Sequence, residues 1–169
     1  NLSDVISELL DDALSYYESG EIEIAIAGFY TIIDFLDRER SAFNADEYLG
    51  YYSASISCLG NIFWDFSDIR TAKKIFSLGI AQIQNNLGDL TKLNLDLENE
   101  NHQSILYLID DYASVHYIFD DKVAAKAYFE IIKRLDTSNT LESEIAIDFI
   151  SKGKSWDEYS QYMDSMEDD

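Results

Sequence analysis

A chain of 169 residues is long enough for one packed domain, burying roughly 70% of its unfolded surface, and its 47% apolar content argues against disorder despite the high charge. Its 33 acidic and 12 basic residues leave a formal net charge of −21, a field that repels nucleic acid and anionic membrane and attracts cationic partners. No proline occurs, where usage of about 5% would supply roughly eight, so helix interiors go unbroken and a nearly all-helical chain is expected.

Leu2, Val5, Ile6, Leu9, Leu10, Ala13, Leu14 and Tyr17 recur at helical intervals and predict an amphipathic helix ending near Gly20. A second helix is predicted from Glu21 to Leu36 or Asp37, burying Ala25, Phe29, Ile32 and Ile33. Asn44 and Glu47 resemble a capping box opening a long third helix through Phe66. Ser67 or Asp68 caps a fourth, with a buried stripe of Ile69, Ala72, Phe76, Ile80 and Ile83.

Between Leu87 and Asn101, Leu93, Leu95 and Leu97 alternate as in a strand, whereas Leu87, Leu90, Leu93 and Leu97 fit a helix. Helix is the expectation, because no second strand exists to pair with it. Further helices are predicted from about His102 to Phe119 and from Lys122 to Leu135. Ser155 and Glu158 form a capping box for a terminal helix ending in an acidic tail.

A phrase recurs along these helices: a small residue, a ring three later, an Ala nine further on and a Phe four beyond that. It reads Ala13, Tyr16, Ala25, Phe29; then Gly60, Phe63, Ala72, Phe76; then Ala113, His116, Ala125, Phe129. Such a unit cannot bury its apolar face alone and stacks on its neighbours. The three units resemble tetratricopeptide repeats, although Ala25 and Ala72 lie 47 residues apart and Ala72 and Ala125 lie 53 apart, against about 34 in the standard repeat. The resemblance implies a single all-α domain over 1–169: a stack of antiparallel helix pairs with about 7–8 helices, units at about 6–37, 45–84 and 102–136, and C-terminal helices at about 139–166. Gly28, Gly50, Gly60 and Gly79 are expected to mark close helix approach.

No chemistry-bearing motif stands out. His102 and His116 are the only histidines and neither sits in an HExxH arrangement; His116 takes the ring position of its unit, so packing is expected. Cys58, the only cysteine, precedes Ile62 by one turn and reads as a packed thiol, which with no disulfide fits a cytoplasmic protein. Asn94, Asp96, Glu98 and Glu100 alternate like calcium ligands but lack the glycine such a loop needs. No phosphate loop, metal spacing or 18-residue apolar run is present, so no catalytic residue, metal, cofactor or membrane span is expected.

The resemblance also implies a concave groove lined by the first helix of each unit. On that register Tyr17 and Glu18, then Asn61, Trp64 and Asp65, then Tyr107, Asp110, Ser114 and Tyr117 are the partner-contacting residues. Leu14 and Ser57 join them. Members of the family that clamp a peptide carboxylate use Lys, Arg and Asn there; only Asn61 is of that kind. An aromatic, acidic surface suits a basic protein instead. The expectation is a non-catalytic acidic binding module, specifically an immunity or inhibitor protein that blocks a basic toxin or nuclease domain. The alternatives are a secretion chaperone or adaptor holding an extended peptide, and a DNA mimic.

Overall fold

The computed structural model describes all 169 residues, and every regular element is helical. The elements are α1 (Leu2–Glu18), α2 (Ile22–Arg38), α3 (Ala45–Asp65), α4 (Ile69–Leu87), α5 (Glu100–Ile118), α6 (Lys122–Leu135), α7 (Ser143–Ser151) and α8 (Trp156–Glu167), with single 3-10 turns at Arg40–Ala42 and Leu90–Lys92. The chain divides into two compact units, Asn1–Leu108 and Ile109–Asp169, the boundary falling inside α5. In the first, α1, α2, α3 and α4 pack in consecutive pairs and α1 also touches α3; in the second, α6 packs on α7.

The predicted caps form. Asn44 accepts from the Glu47 amide at 2.9 Å, and Asp68, rather than Ser67, caps α4 through the Thr71 amide at 3.2 Å. Ser155 and Glu158 complete their capping box, with bonds of 2.8 and 3.2 Å. Each closes an amide that the first helical turn leaves without a partner.

Four turns between consecutive helices close the same way. Gly20, Ser67, Asp120 and Gly153 adopt positive φ of 85°, 62°, 60° and 71°. The next amide then reaches back five residues: Glu21 to Tyr16, Asp68 to Phe63, Asp121 to His116 and Lys154 to Phe149, at 2.8 to 2.9 Å. This is a Schellman closure, and its acceptor is always the ring residue of the phrase. The fourth case, Ala146 and Phe149 leading to Gly153, went unread in the sequence because the matching Ala and Phe of the following helix are missing there.

The small residues sit at tight contacts. Ala13, Ala25, Ala72, Ala113 and Ala125 are all buried, and a Cβ on Gly60 would run into the Phe76 ring. A Cβ on Gly79 would lie 2.5 Å from Leu108 Cδ2 and 2.9 Å from Ile56 Cγ2. Ile33 and Ile69, expected in the core, are only half-buried. On α3 the residues Tyr52, Ser55, Leu59 and Ile62 are buried, whereas their counterparts 47 positions earlier on α1, Val5, Glu8, Asp12 and Ser15, are exposed. Three of the four, Glu8, Asp12 and Ser15, are polar, as suits a helix face that meets water.

The expected helix over Leu87–Asn101 does not form. Leu87 ends α4, Gly88 breaks it at φ 82°, and between there and α5 at Glu100 the chain makes only a 3-10 turn at Leu90–Lys92 and a turn at Leu97–Glu98. Side chains take the backbone amides that a helix would use: Asp89 accepts from Thr91, Asp96 from Glu98 and Asn99 from Asn101, at 2.9 to 3.1 Å. Such local bonds compete with helix formation. The segment is pinned by buried Leu90 and Leu93, and by His102, whose Nδ1 accepts from the Asp96 amide at 2.8 Å while Nε2 lies 3.1 Å from Asp46.

Candidate functional site

In the N-terminal unit α1 and α3 lie side by side and run the same way, joined by a polar ladder. Ser3 bonds Glu47, Ser7 Oγ meets the Tyr51 hydroxyl at 3.3 Å, and the Tyr17 hydroxyl donates to Asp65. The Asp65 bond, more than burial, raises the Tyr17 phenol above its ordinary range.

Beside that ladder opens a pocket of about 210 Å³ lined by Leu14, Tyr17, Phe29, Ser57, Cys58, Asn61 and Ile62. The structure therefore brings Tyr17 and Asn61 together, with Leu14 and Ser57 beside them. Phe29, Cys58 and Ile62 complete the wall; their apolar periodicity marked them as core, so sequence gave no sign that they border an opening. Asn61 Nδ2 donates to the Ser57 carbonyl at 2.8 Å. Trp64 is half-buried against Phe76, ring centroids 6.4 Å apart. Glu18, Asp65 and Tyr107 are exposed.

Through Ile69 the only basic side chains are Arg38 and Arg40, against 14 carboxylates. Arg38 pairs with Asp34 at 3.3 Å, and Arg40 stacks 4.1 Å over the Tyr48 ring while donating to the Phe43 carbonyl at 3.2 Å.

The remaining predicted contacts lie in the C-terminal unit. Ser114 is half-buried. Tyr117 is not a surface anchor: it is 1% exposed, its hydroxyl donates to the Lys154 and Ser155 carbonyls at 2.8 and 3.2 Å, and its ring packs on Trp156 and Tyr159. Burial, then Glu158 and Asp120, push its phenol up to about 12. Asp110 is half-buried, and loss of hydration, followed by the charges of Asp111 and Asp136, raises its carboxyl to about 7. Asp136 is committed to structure, accepting from the Thr140 and Leu141 amides at 3.2 and 2.8 Å.

His116 is 8% exposed, lies edge-on to Tyr112 with centroids 4.6 Å apart, and stacks on Tyr128 at 5.5 Å. Its Nδ1 is 3.3 Å from Asp121. No three of the His, Cys, Asp and Glu side chains converge as a metal site, and no helix is long and apolar enough to cross a membrane. No protein-family model, curated protein or solved structure matches the chain.

Proposed function

We propose that the chain is a non-catalytic binding module for a basic protein, acting as an inhibitor that occludes the cationic surface of a toxin or nuclease domain. The observation that carries this reading is the apolar pocket between α1 and α3, with Asp65 bonded to Tyr17 in its wall and Glu18 beside that tyrosine. An apolar recess accepts one anchoring side chain, and surrounding carboxylates steer and pair with Lys or Arg. A nuclease surface must be basic to hold phosphate, so an acidic surface both attracts and blocks it. The tetratricopeptide resemblance supports the same face through register alone.

The mainly apolar lining also favours a second reading, a chaperone or adaptor that holds an extended peptide. Affinity capture from the native host with wild-type, Cys58→Trp and Asp65→Lys baits separates them. A folded basic domain retained by wild type and lost from both variants supports inhibition. Loss from Cys58→Trp alone, with capture of unfolded or secreted segments, supports the adaptor. Capture indifferent to both substitutions removes this face from consideration.

A further inference from the structure

A second recess lies between α1 and α2, and it shares no residue with the pocket beside Tyr17. Leu9, Ala13, Tyr16, Ile24, Ala27 and Gly28 line most of its volume of about 290 Å³. The two helices approach closely at its floor, where a Cβ on Gly28 would sit 3.2 Å from Ala13 Cβ. Its walls are large apolar side chains left in water, Tyr16 at 42% exposed and Ile24 at 49%. Covering such a trough removes apolar surface from water, which favours an occupant.

The second hairpin indicates the shape of that occupant. The residues 47 positions on, Leu59 for Asp12 and Ile75 for Gly28, are buried, and α3 has a helix, α2, packed against it from the hairpin before. The same side of α1 is open. There Asp12 stands in place of Leu59, so whatever lies on it must bring a cation to that point.

The charge around the recess has one sign. Asp4, Glu8, Asp11, Asp12 and Glu18 stand on α1 with no Lys or Arg, and Glu23 lies in the first turn of α2. Arg38, the only basic side chain of this hairpin, pairs with Asp34 at 3.3 Å. A second copy of the chain, also at −21, is repelled.

We propose that this recess docks a cationic amphipathic helix of a partner protein. The apolar face of that helix lies on Tyr16, Ile24 and Ala27, and its Lys or Arg side chains reach Asp12 and, one turn before it, Glu8. The inference holds whichever partner the Tyr17 pocket takes.

A labelled Leu/Lys peptide of about 16 residues, patterned as an amphipathic helix, is the probe, and its scrambled form, equal in charge but without an apolar face, is the reference. Anisotropy titrations should show the patterned peptide binding about tenfold more tightly or better. Ala27→Arg and Leu14→Arg add the same charge at exposed positions, one in this recess and one at the Tyr17 pocket. Ala27→Arg should erase the patterned peptide's advantage and Leu14→Arg should keep it. Asp12→Lys, at another exposed position, should weaken that peptide more than Glu167→Lys in the tail. Equal affinities for the two peptides overturn the proposal, as do equal losses within either pair of variants. A loss confined to Leu14→Arg also overturns it, by moving the peptide to the Tyr17 pocket.

Discussion

The Tyr17 hydroxyl donates to Asp65 across 48 positions of sequence, one of the side-chain ties between α1 and α3. Because the pair is solvent-accessible, the bond contributes modestly, under about 1.5 kcal/mol. Tyr17→Phe should lower the urea midpoint slightly and leave the denaturant slope unchanged. Spectrophotometric titration should show one tyrosine ionising at lower pH in Asp65→Asn than in wild type.

Gly60 stands where the other two phrases carry alanine, and its hydrogen is what lets the Phe76 ring close on α3. Gly60→Ala should destabilise by about 1–3 kcal/mol, the usual effect of overpacking. Thermal melts should place it well below Lys92→Leu, a change at an exposed position. Equal melting temperatures would mean that the ring moves aside freely.

Ser67 holds φ at 62° in a position that Gly20 and Gly153 fill elsewhere. A left-handed conformation costs a side-chain-bearing residue about 1 kcal/mol. Ser67→Gly should therefore raise the melting temperature, by about 2–4 °C for a chain of this size. Gly20→Ala, the reverse exchange, should lower it.

Asp110 has a carboxyl raised in the folded state to about 7 from 3.8. Its contribution to stability is complete below about pH 4 and is lost as pH rises toward about 7, the opposite of a salt-bridged carboxylate. Asp110→Asn removes that loss. The variant should be more stable than wild type at pH 8, by on the order of 1–3 kcal/mol, and equal to it near pH 4. Denaturant melts at the two pH values measure this directly.

Partner association should be fast at low salt and slow as salt rises, since a charge of −21 acts through long-range attraction that ions screen. Stopped-flow rates between about 50 and 500 mM salt test it, the Debye length falling below about 5 Å over that range. A flat profile would leave the acidity a solubility device and binding chiefly apolar.

Helix positions were legible because each rests on local signals. Apolar spacing marks the faces, Asn44, Asp68 and Ser155 mark the starts, and no proline interferes. Leu87–Asn101 was not legible for an equally local reason: its leucines imitate a helical stripe while its Asp and Asn side chains satisfy the backbone another way. Leu14, Tyr17, Ser57 and Asn61 line one pocket because α1 and α3 lie side by side with their helical faces in step. Tyr117 was not legible. Whether that ring faces water depends on the path of α8, which no periodicity near Tyr117 encodes.

The repeated turn has a consequence for how the chain is made. Each turn finds its hydrogen-bond acceptor five residues back, so a helical hairpin closes as soon as its own segment has left the ribosome. Ala13 can dock against Gly28, 3.2 Å from where a Cβ there would lie, before α5 has been synthesised. With no X-Pro bond to rotate, no step waits tens of seconds for isomerisation. Assembly can then proceed vectorially, hairpin by hairpin, at the pace of translation.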